Sequence, residues 1–139
     1  MSVFVDSSAL YALLDRDDGN HRQAATAWSE LLQAIDVLVT SNYVVVETTA
    51  LAQHRLGMEA VAALVRDVLP VIGVEWVTES DHREAMAALL AAGRRHVSLV
   101  DSVSFVLMRR LGAETAFAFD AHFANEGFRT IGRGRAGRR

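Results

Sequence analysis

Apolar residues along this chain follow two alternating rhythms. Short runs rich in Val, Phe and Ile, at 3–5, 37–39, 73–77, 115–119 and 128–131, have the length and β-branched or aromatic character of buried strands. Between them, apolar positions recur at helical spacing. Ser7 and Ser8 are capping types before a helix that begins at Ala9 and runs to Leu14. Residues 21–34 place Ala24, Ala25, Trp28, Leu31 and Leu32 on one face of a second helix. Further helices are predicted over 43–55 and over 58–69, where Pro70 stops the second of these. Two more run from Ser80 or Asp81 to Leu90, closed by Gly93, and from a Ser98 cap to Leu111, closed by Gly112. A short helix follows Asp120. Strands that alternate with helices predict an α/β domain over 1–132, with a mostly parallel five-stranded sheet and helices on both faces.

The 139 residues are 51% hydrophobic, enough for one domain with a substantial core. Cysteine is absent, which excludes disulfides, thiolate metal sites and cysteine nucleophiles and suits a reducing compartment. Asp6 interrupts the first apolar stretch early, so no signal peptide is read, and no apolar run is long enough to span a bilayer. The expectation is a cytoplasmic protein with no membrane partner. The net charge of −3 conceals an asymmetry. All 14 basic residues are arginine, and Arg133, Arg135, Arg138 and Arg139 sit in a stretch read as a flexible tail over 133–139. The body that remains is more acidic still. Bulk charge therefore does not attract nucleic acid; local arginines, or a metal that inverts the local sign, would have to. Arg94 and Arg95, in a loop before Ser98, are candidates for a phosphate contact.

Four acids carry the candidate chemistry. Asp6 stands where the first strand becomes a helix, and the outer edge of strand ends is where open α/β sheets bind ligands. Glu47 lies in an apolar stretch, VVVETTALA, where a carboxylate is costly unless paired, protonated or metal-bound. Asp101 follows the Ser98 cap at capping-box spacing, and Asp120 directly follows the fourth strand. Asp6, Asp101 and Asp120 each have a plain capping explanation, and Glu47 has an outward-facing one. Together they point to one edge of the sheet, with Ser7, Asn42 and Ser98 as supporting polar residues. Four gathered carboxylates repel one another, and a hard divalent cation relieves this. Oxygen-only ligands suit Mg2+ or Mn2+, whereas the five histidines lack zinc-type spacing. Such a site supports phosphodiester hydrolysis by activated water. The segment DRDDGN at 15–20 resembles a calcium loop but has Asn20 where the required glycine belongs, so it reads as a solvated turn.

The stretches VFVDSSALYALLD, SNYVVVETTALA, SLVDSVSFVLMRRLG and AFAFDAHF, in this order, resemble the PIN-domain ribonucleases, nearest to the VapC-type toxins of bacterial toxin–antitoxin pairs. The resemblance covers nearly the whole chain. It implies a single PIN-like domain, a three-layer α/β/α sandwich, and magnesium- or manganese-dependent cleavage of RNA. By motif position Asp6, Glu47 and Asp101 match the family's three most constant acids, Asp120 the fourth, and Ser7 the small hydroxyl residue after the first aspartate. On this reading Arg94 and Arg95 would touch the RNA backbone. A homodimer and a cognate antitoxin are the implied protein partners. The chain departs from the pattern at Ala118, where the family often carries Thr or Ser, so a hydroxyl near Asp120 is missing. Two other readings remain open at this stage. One is a non-catalytic PIN-like module that holds RNA or a protein. The other is a phosphoacceptor receiver domain, which would need a lysine that this chain lacks.

Overall fold

Val3, Phe4 and Val5 are all fully buried, although consecutive strand residues face opposite sides of a sheet. Both faces of this strand are therefore covered, as in a parallel sheet between helical layers. The computed structural model describes residues 1–132 and bears this out; the arginine-rich stretch 133–139 lies outside the described residues. Strand β1 (Ser2–Val5) is the centre of a five-stranded sheet of order β3-β2-β1-β4-β5, in which every pairing is parallel. Its neighbours are β2 (Val37–Ser41) and β4 (Thr115–Ala118), and the edges are β3 (Gly73–Glu75) and β5 (Arg129–Gly132). All four residues of β4 are buried as well.

Parallel strands need crossovers, and helices supply them. Helices α1 (Ser7–Leu14) and α2 (His21–Gln33) connect β1 to β2. Helix α3 (Asn42–Arg55) and helix α4 (Met58–Ala63) lead towards β3. Helices α5 (Glu79–Ala92) and α6 (Leu99–Leu111) carry the chain back across β1 to β4, and the short α7 (His122–Asn125) precedes β5. Helix α6 is the most deeply set of them, buried without a break from Asp101 to Met108. Its Phe105 meets Phe123 edge-on with ring centroids 5.1 Å apart, a contact worth roughly 0.5–1.5 kcal/mol beyond the area it buries.

The structure corrects several boundaries. The helix expected over 58–69 is α4, followed by a π-helical turn (Leu64–Val68) and a 3-10 turn (Leu69–Val71). Pro70 lies at the start of the 3-10 turn, where its missing N–H is tolerated. Strand β3 ends at Glu75 rather than at Val77. Helix α5 is capped by Thr78, not by Ser80 or Asp81; Asp81 instead completes a capping box with Thr78. On α2 the buried face is Ala24, Ala27 and Leu31, whereas Ala25 and Leu32 are exposed. Among the described residues, no helix is long and apolar enough to cross a membrane.

Candidate functional site

Connections leave β1 and β4 in opposite directions, towards β2 on one side and β5 on the other. The crevice outside the carboxyl ends of these two neighbours is the switch point at which such sheets bind ligands. Asp6 directly follows β1, and Asp120 stands two residues past β4. Asp101 arrives on the first turn of α6 and Glu47 on the second turn of α3, which begins as soon as β2 ends.

Asp6 is 1% exposed. Its Oδ2 accepts hydrogen bonds from the Ser8 backbone N–H at 3.1 Å and from the Ser8 hydroxyl at 2.6 Å. Its Oδ1 is buried without any hydrogen-bond partner. Burial, then the charge of Asp120, push the Asp6 carboxyl up to about 8, with Asp101 adding to the rise and the Ser8 hydrogen bonds opposing it. Asp101 is also buried, and its carboxyl is raised, chiefly by burial and also by Asp120. Its Oδ2 accepts from the Ser98 N–H at 3.2 Å and lies 2.9 Å from His122 Nδ1. Asp120 Oδ1 accepts from the His122 N–H at 3.0 Å. One donor atom each from Asp101, Asp120 and His122 lie within 4.8 Å of one another. Glu47 is half-buried and turns to α1, where its Oε1 accepts from the Ser7 hydroxyl. Ser7, the residue next to Asp6, thus ties Glu47 of α3 to the start of α1.

The set of side chains fits a divalent cation. A buried carboxylate oxygen with no partner, among like charges, is costly in free energy as it stands. Carboxylate oxygens suit a hard ion such as Mg2+ or Mn2+, and a ring nitrogen of His122 lies within reach of the same position. Ser98 and Asn42 have clear local roles. Ser98 caps α6 and, through the capping box with Asp101, sets that carboxylate. Ser41, not Asn42, caps α3, and Asn42 Oδ1 instead accepts from the Val77 N–H at 2.8 Å, tying α3 to the segment after β3. Arg94 pairs with Glu126 at 3.0 Å, which Arg109 also holds at 2.9 Å, and Arg95 is exposed.

Two residues at the site escaped the sequence reading. Ser8 appeared only as a possible cap, yet its hydroxyl donates to Asp6 and accepts from the Phe119 N–H at 2.9 Å, binding α1 to the end of β4. His122 was dismissed with the other histidines on zinc spacing. The signal for both was the same: each follows a strand-end aspartate by two residues, the span over which Asp bonds locally to the backbone.

A family model described as PIN domain matches residues 3–128, so the chain belongs to the PIN-domain family. Within it, the expected kinship with VapC-type ribonucleases is borne out. The 23S rRNA-specific endonuclease VapC20 of Mycobacterium tuberculosis H37Rv is 37% identical over 127 residues, covering 91% of this chain and 95% of that protein. Ribonuclease VapC26 of the same strain is 29% identical over 139 residues, 96% of each chain. The crystal structure of M. tuberculosis VapC20, described as a sarcin-ricin loop cleaving toxin, superposes with a TM-score of 0.82 at 36% identity, covering 91% of this chain and 95% of that one. VapBC2 from Rickettsia felis, solved bound to promoter DNA, shares the fold at a TM-score of 0.70 and 12% identity, covering 94% and 97%.

Proposed function

We propose that this protein is a magnesium- or manganese-dependent endoribonuclease with Asp6, Glu47, Asp101 and Asp120 as its metal and catalytic residues. The observation that carries the reading is the unpartnered, fully buried Oδ1 of Asp6 beside two further aspartates. A cation held there supplies Lewis-acid polarisation of the scissile phosphate and lowers the pKa of the attacking water. The protein's own contribution is positional. Ser8 fixes the Asp6 carboxyl through Oδ2 and leaves Oδ1 without a protein partner; Ser98 and His122 fix Asp101. Ser7 holds Glu47 against the start of α1. Because the donors are set by helix caps and by β1 and β4, little reorganisation remains when substrate arrives.

The test is cleavage by the Asp6→Asn variant. With a folded variant, loss of RNA cleavage by at least 100-fold supports the reading; cleavage retained in that variant or in excess chelator overturns it. The 23S rRNA named for VapC20 is the first substrate to assay. A calorimetric titration with Mn2+ separates this reading from a non-catalytic module, which would show no binding. The kinship also implies a cognate antitoxin and a second copy of the chain as partners. Size-exclusion chromatography with light scattering tests the homodimer.

A further inference from the structure

An open cleft of about 390 Å³ leads away from the acids. Ser7, Ser8, Phe119 and Asp120 line it at the end nearest the candidate site, with Tyr11, Leu51 and Arg55 further along. Two helix stripes build its walls. On α1, Ser7 and Tyr11 are four residues apart; on α3, Leu51 and Arg55 are too, so each pair shares one face, and Glu47 stands one turn before Leu51 outside the lining. The stripes are joined twice. Ser7 donates to Glu47, and one level on the Arg55 guanidinium lies over the Tyr11 ring, 5.4 Å from its centroid. The Tyr11 hydroxyl donates to Asp15 at 2.9 Å, which fixes the ring.

The chemistry of this wall differs from that of the acid cluster. The four acids repel a phosphate, whereas Arg55 attracts one. Among the described residues Arg55 forms no ion pair, unlike Arg83, Arg94, Arg109 and Arg110, each of which has a carboxylate partner. It is the one cation in the lining, whose carboxylates are those of Asp18 and Asp120, and it stands beside an aromatic ring and a leucine. A planar cation next to aromatic and aliphatic surface is how proteins hold a nucleotide of a single strand, with phosphate on the guanidinium and base against the apolar wall. The volume lies within the roughly 300–1,000 Å³ of small-ligand sites. An arginine needed only to cover Tyr11 would not require a cleft open to the acids.

We propose that the cleft between α1 and α3 is a nucleotide subsite, in which Arg55 takes the phosphate and Tyr11 and Leu51 the base of the residue flanking the bond to be cut. The proposal rests on the endoribonuclease reading for its place in the reaction, but its binding chemistry is testable without a metal. The probes are the four nucleoside 5′-monophosphates and inorganic phosphate, titrated in EDTA into the full-length protein labelled for NMR. The expected result is that the nucleotides shift the Arg55 Nε–H, the Leu51 methyl groups and the Tyr11 ring together. Inorganic phosphate moves Arg55 alone. The Arg55→Met variant, altered at an exposed position, should keep its melting temperature and bind nucleotide at least tenfold more weakly.

Nucleotides that leave these three signals unmoved overturn the proposal, as does an Arg55→Met variant that binds as tightly as the parent. In cleavage assays on the same proteins with Mn2+ in place of EDTA, Arg55→Met should raise KM about tenfold with kcat changed less than twofold. The salt dependence of RNA binding should weaken by about 0.7 in log–log slope, the loss of one phosphate contact on a single strand. A purely structural role for Arg55 would leave that slope alone. Nucleotide binding at the cleft with no RNA cleavage would refute the nuclease reading and leave the subsite standing. Cleavage without these shifts would do the reverse.

Discussion

Replacing Asp6 by Asn should make the metal-free protein more stable at neutral pH, although it destroys the site. Asp6 is fully buried and its carboxyl is raised from 3.8 to about 8. At low pH both folded and unfolded chains carry it protonated. As pH rises past about 4 the unfolded chain releases this proton, while the native chain keeps it until about 8. Native protein thus binds more protons across this window, and stability falls as pH rises through it. At 1.36 kcal/mol for each unit of pKa difference, the loss accumulated by pH 7 has a ceiling of about 4 kcal/mol. The amide has no proton to lose, and like the protonated acid it leaves one polar atom unpartnered, so that cost cancels. The variant should therefore gain about 2–4 kcal/mol at pH 7, or roughly 6–12 °C in melting temperature for a chain of this size. The assay is thermal unfolding in EDTA from pH 4 to pH 8, followed by circular dichroism. The gain should shrink to nothing near pH 4. With Mn2+ at a hundred times its dissociation constant the variant's advantage should shrink by about 2.7 kcal/mol, because the parent gains that much from binding and the variant does not. A variant that melts at or below the parent at pH 7 in EDTA, or a difference that ignores pH, refutes the reasoning.

Further expectations concern the surroundings of the same carboxylate. Mn2+ binding at pH 7 should release about one proton, since Asp6 must ionise to receive the ion; titration in buffers of different ionisation enthalpy measures this, and a value of zero would contradict it. Ser8→Ala removes both a donor to Asp6 and an acceptor for the Phe119 N–H. It should lower unfolding free energy in urea by about 1–3 kcal/mol and move the pH profile of cleavage to higher pH. Arg110→Met removes the two-point partner of buried Asp81, which its Nε and Nη2 hold at 3.1 and 2.9 Å. It should cost about 1–3 kcal/mol by the same urea assay, because the buried carboxylate keeps only its capping-box bond from the Thr78 N–H, and leave kcat unchanged.

The sheet was legible because its central strands are buried on both faces, and an unbroken VFV or TAFAF has no other comfortable conformation in a soluble chain. Helix ends marked by chemistry were legible too: Ser98 and Gly112 bound α6 as read. Boundaries that depend on packing were not. Nothing local to residues 58–69 distinguishes an α-helix from one that loosens into a π turn at Leu64. Edge strand β3 has few apolar neighbours to fix its end. At the site, the positions of the four acids in the chain were readable, because the three aspartates sit at strand ends or in a cap and Glu47 interrupts an apolar stretch. The depth of Asp6 and the loss of a partner for its Oδ1 were not readable, since both depend on β4 closing over it from more than a hundred residues away. His122 was missed because the search was for zinc spacing, whereas its Nδ1 meets Asp101 across a tertiary contact.

The pair of serines after Asp6 explains how one short turn can organise a site drawn from four elements. Successive helical residues point about 100° apart, so two adjacent hydroxyls at the start of α1 reach different neighbours. Ser7 points towards α3 and takes Glu47; Ser8 turns back and takes both Asp6 and the backbone just past β4. The first fixes the acid that comes from β2's side of the sheet, and the second fixes the crevice between β1 and β4. A larger or apolar residue at either place would leave a carboxylate free to find water or a stray cation. The hydroxyl that the family often carries at position 118 is absent here; Ala118 is fully buried, and Ser8 reaches the neighbouring Phe119 N–H from the other side. The order of the site therefore comes from α1, which also supplies Tyr11 to the wall of the adjoining cleft. A single helix thus aligns the proposed cutting site with the surface proposed to hold the next nucleotide, and any tilt of α1 would disturb both at once.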